Sequence, residues 1–106
     1  MDESAFMASV DGRRPAVVRL VGELDLASAP KLESVLAGLD GDVELDCSRL
    51  GFIDAAGLRA FQKVRMRCEA RGCELVLVDP SPAVDRLLRM VELDRLFLIR
   101  QGKATS

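Results

Sequence analysis

Leu75-Val76-Leu77-Val78 is an unbroken apolar run between two segments whose apolar residues recur at helical spacing. That arrangement constrains the chain more than any other feature. A short continuous run of this kind predicts a central strand covered on both faces. Before it, Leu58, Phe61, Val64 and Cys68 share one face of a helix running from about Ala56 to Arg71, which Gly72 stops. After it, Val84, Leu87, Leu88 and Val91 mark a further helix, with Ser81 as N-cap and Pro82 at its first position. Strands separated by helices of this length imply parallel pairing through right-handed crossovers.

The same alternation continues toward the N-terminus. Residues 43–47 alternate apolar Val43, Leu45 and Cys47 with acidic Glu44 and Asp46, the period of a half-buried strand. Residues 48–55 read as a loop. Leu32, Val35, Leu36 and Leu39 form a helical stripe behind Ser28 as N-cap and Pro30 in the first turn, ending at Asp40-Gly41-Asp42. Residues 5–10 and the β-branched 16–21 read as two strands of a hairpin about Asp11-Gly12, and Gly22-Glu23-Leu24-Asp25 reads as a turn. The order is β-β-α-β-α-β-α, with Phe97-Leu98-Ile99 as a closing strand or a packed tail. The expectation is a single α/β domain over residues 1–106, with a core over about 5–100 between short flexible tails. Its mixed, mostly parallel sheet has four or five strands.

Composition narrows the chemistry. The 106 residues include no His, which excludes Ser-His and Cys-His nucleophile pairs and most zinc sites. Neither a GxGxxG nor a GxxxxGK[ST] phosphate loop occurs. A net charge of −2, with no Trp or Tyr and four Phe, argues against a nucleic-acid surface. No apolar run is long enough to cross a bilayer, and the acidic start Met1-Asp2-Glu3-Ser4 is unlike a secretory signal. Three cysteines without a CxxC pair fit a reduced cytoplasm. The chain reads as a cytoplasmic protein without metal or cofactor, a binding module rather than an enzyme. Residues 1–54 hold eleven acids and five bases, whereas residues 55–106 hold six acids and ten bases. That asymmetry fits charge-steered docking onto a protein, and equally two solvated faces of different sign.

Loops after strands are the usual home of function in such sheets. Glu23 and Asp25 follow the second strand and Asp54 follows the third. Paired carboxylates serve acid–base work or a divalent cation, and equally a solvated loop or a helix cap. Asp54 suits an N-cap, and the helix start at Ala55-Ala56-Gly57 suits an anion. A slow nucleotide hydrolase using Asp25 and Asp54 is the enzyme reading these acids permit; the missing phosphate loop and His argue against it. Cys47 reads as a core residue. Cys68 and Cys73 flank Gly72, where oxidation could join them or packing alone could explain them. Arg59, Lys63, Arg67 and Arg71 share a basic helix face that starts at the Asp54 loop.

Taken in succession, several segments resemble the STAS domain of bacterial anti-sigma factor antagonists. They are Gly22-Glu23-Leu24-Asp25-Leu26-Ala27-Ser28-Ala29-Pro30, Leu45 through Asp54, Gly57-Leu58, Pro80-Ser81-Pro82-Ala83-Val84 and Leu93-Asp94-Arg95-Leu96-Phe97. The resemblance spans roughly residues 6–100. It implies a partner switch, in which the unmodified antagonist binds an anti-sigma factor with a serine-kinase fold and the phosphorylated form lets go. It also implies a contact surface of Glu23, Asp25, Ser28, Asp54, Ala55, Ala56, Gly57, Leu58 and Arg59; these loops alone can supply an interface of standard size, so a monomer is expected. The phosphoacceptor position falls on Ala56, and neither it nor Ala55 carries a hydroxyl. Three readings stay open: a natural variant held binding-competent, a serine replaced to trap that state, or a protein outside the kinase circuit, regulated otherwise, as through its cysteines. Ser28 and Ser48 are nearby hydroxyls better explained as cap or turn residues. The resemblance also permits a soluble STAS subunit seated on an ABC-type lipid transporter ATPase, which needs no phosphoserine.

Overall fold

The computed structural model of the chain describes residues 6–12 and 15–102. Its elements are β1 (Phe6–Asp11), β2 (Ala16–Leu24), α1 (Ala29–Ala37), β3 (Val43–Ile53), α2 (Ala55–Ala70), β4 (Leu75–Val78), α3 (Pro82–Met90) and β5 (Leu98–Arg100). The strands form one sheet in the order β1-β2-β3-β4-β5, with β1 antiparallel to β2 and every other neighbouring pair parallel. The mixed, mostly parallel α/β sheet read from the sequence is present, and residues 98–100 close it as a strand. The tip of the expected hairpin, like residue 5, lies in part outside the described residues.

Each parallel crossover steps one strand further in the same direction. Right-handed crossovers of that kind place all three helices on one face. On that face Leu20, Leu45 and Leu77 from the sheet meet Leu32, Phe61 and Leu88 from the helices in a single cluster. Fully burying each such side chain contributes about 1.5–3 kcal/mol. Phe97 joins at the edge, its ring 6.4 Å from that of Phe61 at 71°.

The expectation that β4 is buried on both faces is met at three of its four residues. Its second face carries no helix, because no crossover reverses direction. Val76 is half-buried there, and Val78, which points the same way, is fully buried. Glu44, read as an outward residue of β3, does lie on this face but is 4% exposed. The Arg100 guanidinium reaches across β4 and donates to both its carboxylate oxygens, at 2.8 and 3.2 Å. The ion pair tethers the last strand to the middle of the sheet.

The expected loop at 48–55 is corrected, since β3 runs on to Ile53. Its pairing with β2 slips between Arg19 and Val21, and again between Gly22 and Glu23. Each slip inserts an extra residue in β3, so buried positions fall at Cys47, Leu50 and Ile53, three apart. A period-2 pattern loses the strand at the first bulge. β2 likewise continues to Leu24, and the turn begins only at Asp25.

Helix boundaries follow local chemistry. α1 ends at Ala37, before the expected Asp40-Gly41-Asp42, with Gly38 as its C-cap. Leu39 lies past its end yet still packs on the core. Ser81 caps α3, accepting from Val84 N–H at 3.3 Å and donating to Leu50 O. Among the described residues no helix is long and apolar enough to cross a membrane.

Candidate functional site

Parallel pairing aligns Glu23 with Phe52 and Leu24 with Ile53, so β2 and β3 end side by side. Their two outgoing connections therefore start at the same edge. Asp54 N–H donates to Leu24 O at 3.2 Å and ties one connection to the other. The two candidate segments, around Asp25 and around Asp54, are brought together in this way.

The first turn is closed on itself. Asp25 Oδ1 accepts from the N–H groups of Ala27 and Ser28, both at 3.1 Å. Ser28 Oγ accepts from Asp25 N–H at 2.9 Å, and its hydroxyl points between Glu23 O at 2.9 Å and Asp25 Oδ1 at 3.1 Å. The expected capping role of Ser28 is corrected: it occupies the N-cap position but makes no side-chain cap bond. Its φ of −97° and ψ of −15° are helical rather than extended, so its hydroxyl turns back onto the strand end. The Asp25 carboxylate serves the turn ahead of the helix, while the first helical N–H groups go to backbone carbonyls, Ala29 N–H to Asp25 O and Lys31 N–H to Ser28 O. The turn lifts Leu26 to 75% exposure and leaves Glu23 exposed.

The second turn starts a helix. Asp54 is extended, and its Oδ1 accepts from Gly57 N–H at 3.0 Å, as expected of an N-cap. Gly57 is buried where a Cβ would stand 2.7 Å from Leu24 O, so only glycine lets α2 start this close to β2. Ala55 and Arg59 are exposed and Ala56 is half-buried. Leu58, expected on the contact surface, is 7% exposed and belongs to the core. Facing inward one residue before Arg59, it holds the helix start down rather than offering a surface.

Two further side chains stand at this edge that the sequence reading did not place on the surface. Phe52 is 47% exposed beside Glu23, and Leu26 caps the neighbouring turn. Large exposed apolar groups beside a polar rim mark interaction sites. Nothing in the one-dimensional pattern shows which way Phe52 points, because it follows the second bulge. Acid–base chemistry has little to work with, since Asp25 and Asp54 are both engaged by backbone N–H groups. Among the described residues, no three His, Cys, Asp or Glu side chains gather as ligands for a metal ion.

The basic face of α2 is partly answered by acids of the first half of the chain. Lys63 approaches Glu33 and Arg71 approaches Asp40, each at 3.7 Å. Arg59, nearest the site, has no such partner among the described residues. Cys47 is fully buried, and burial pushes its thiol far above the ordinary range, as befits a core residue.

Fold and site together define a one-sided α/β domain with its distinctive surface where a helix starts beside the ends of two parallel strands. The chain belongs to the STAS family: the family model described as "Mlab, STAS domain" matches residues 8–100. It is similar to the anti-sigma-B factor antagonist of Staphylococcus aureus, 28% identical over 89 residues that cover 80% of this chain and 82% of that protein. Among solved structures, the anti-sigma factor antagonist SpoIIAA in its unphosphorylated form superposes with a TM-score of 0.77 at 20% identity, over 92% of this chain and 89% of that one. An anti-sigma factor antagonist from Mycobacterium paratuberculosis gives 0.76 at 24% identity, over 90% and 85%.

Proposed function

We propose that this chain is a cytoplasmic, monomeric binding module that sequesters an anti-sigma factor with a serine-kinase fold. The observation that carries the reading is the pairing of the two turns at one sheet edge, with Leu26 and Phe52 exposed around the start of α2. The similarity to anti-sigma factor antagonists supports it. The docking surface comprises Glu23, Asp25, Leu26, Phe52, Ala55, Ala56 and Arg59. Ser28, Asp54, Gly57 and Leu58 hold it in shape.

Ala56 occupies the position where the family resemblance implies a phosphoacceptor. A phosphoserine there would add about −1.5 to −2 charges beside the Asp54 carboxylate. With a methyl group at 56 the release step has no chemistry to act on, so the module stays competent to bind. The test is isothermal titration against the anti-sigma factor of serine-kinase fold from the same genome. Ala56→Glu, Leu26→Ser and Phe52→Ser should each weaken binding at least tenfold, about 1.4 kcal/mol, with the circular dichroism spectrum unchanged. Ala56→Ser should form a complex that dissociates on adding ATP. Unchanged affinity in all three weakened variants would overturn the surface.

The absence of a hydroxyl at both 55 and 56 also suits a soluble STAS subunit of an ABC-type lipid transporter. Copurification with a transporter ATPase, and no affinity for the kinase-fold protein, would favour that reading.

A further inference from the structure

The far end of α2 carries a different chemistry. The helix closes with Gly72 N–H donating to Glu69 O at 3.1 Å and Cys73 N–H donating back to Cys68 O at 2.9 Å, with Gly72 at a φ of +75°. This is the Schellman closure, which sets the residue one turn inside the helix against the second residue beyond its end. α3 closes the same way: Glu92 N–H bonds to Arg89 O and Leu93 N–H to Leu88 O, and both leucines pack into the core. In α2 the corresponding two positions hold thiols. The Cys73 thiol donates to Cys68 O at 3.3 Å, which holds the outer cysteine's sulfur against the backbone of the inner one.

The pair is asymmetric. Cys68 is 7% exposed, whereas Cys73 is half-buried and lines two cavities, of about 550 and 300 Å³. Arg71 and Asp42 border the larger, and Arg65 and Glu69 the smaller. A small oxidant therefore reaches one sulfur while the other waits behind it.

We propose that Cys68 and Cys73 form an oxidisable dithiol, a modification site for hydrogen peroxide that closes to an intramolecular disulfide. The Cys73 sulfur attacks one peroxide oxygen and breaks the O–O bond, giving a sulfenic acid and one water. The Cys68 sulfur then attacks the Cys73 sulfur, the S–O bond breaks, and the hydroxyl leaves as a second water with the Cys68 proton. Two thiols are oxidised by two electrons and one peroxide is reduced. Burial, followed by the neighbouring Cys73, pushes the Cys68 thiol up to about 11, which keeps it protonated and assigns it the resolving role. The site lies about 24 Å along α2 from the docking surface, at 1.5 Å for each of 16 residues. It stands independently of the partner reading.

The test is to expose the reduced, folded protein to hydrogen peroxide and count free thiols. Two of the three should be lost and the mass should fall by two hydrogens. Tryptic cleavage after Arg71, which separates the two cysteines, should leave their peptides joined. Cys73→Ser should abolish the loss, and Cys68→Ser should stop at a sulfenic acid that dimedone traps. Circular dichroism checks that both variants fold. Retention of all three thiols, over-oxidation of Cys73 alone in the unaltered protein, or a dimer linked through Cys73 would each overturn the proposal.

Discussion

Replacing Gly57 by alanine tests how the start of α2 is held against the sheet. The new Cβ would stand 2.7 Å from Leu24 O and 2.9 Å from both Leu24 Cγ and Ile53 Cγ1. Carbon atoms pack comfortably at about 3.5–4.0 Å, so the overlap is roughly 0.6 Å or more on three sides. Overpacking of this kind costs about 1–3 kcal/mol. The upper part of that range applies because Leu24 O is backbone and already accepts from Asp54 N–H, so it cannot retreat without loosening that bond. Alanine recovers about 1 kcal/mol of helix propensity over glycine. The net expectation is a loss of about 1–2 kcal/mol, with Tm falling roughly 4–8 °C for each kcal/mol. With neither Trp nor Tyr in the chain, urea unfolding is best followed by far-ultraviolet circular dichroism. Gly38→Ala is the matched control, because its Cβ meets only Val35 O at 3.8 Å; it should gain about 0.4–1 kcal/mol. If Gly57→Ala proves as stable as the parent at an unchanged m-value, the close approach of α2 to β2 is wrong.

Asp54→Ala should cost about 1 kcal/mol through loss of the cap to Gly57 N–H, whereas Asp54→Asn should cost a few tenths, as measured by urea midpoint. Equal losses would show that charge rather than the hydrogen bond matters. Arg100→Ala should destabilise by about 1–3 kcal/mol, because Glu44 loses a two-pronged charged partner that itself remains 42% exposed to screening solvent. Arg100→Lys should recover little, since an ammonium cannot span both oxygens; a loss under about 0.5 kcal/mol in the alanine variant would refute the tether. Cys47 and Cys68 are held neutral more strongly when folded, so the folded chain keeps protons that the unfolded chain releases above about 9. Stability is therefore full below that pH and falls as pH rises toward about 11, measured in reducing buffer. The double variant Cys47→Ala, Cys68→Ala should show a smaller fall, and an identical one would refute the assignment.

The helices and their caps were legible because local spacing determines them. Val84 and Leu88 face the core as their spacing required, Ser81 caps as its position before Pro82 implied, and Gly72 takes the positive φ that stops α2. Asp54 serves as the N-cap suggested by its place before Ala55. Ser28 shows the limit of that reasoning. It stands in a capping position, yet its hydroxyl is drawn back to Glu23 O and the Asp25 carboxylate in the preceding turn, a contact that helix spacing does not report.

The one-dimensional pattern by itself determined the fold class: alternating strands and helices leave parallel pairing as the only short route between them. Only tertiary structure decided the rest. The length of β3 depends on bulges against β2, which exist only once the two strands pair. The burial of Glu44 depends on Arg100, 56 residues away, arriving two strands over. The surface itself depends on β2 and β3 ending together, so that Leu26 and Phe52, from segments with no local relation, are exposed at one edge. Local periodicity reports which residues share a face of one element. It carries no information about register between elements, and register is what assembles this site.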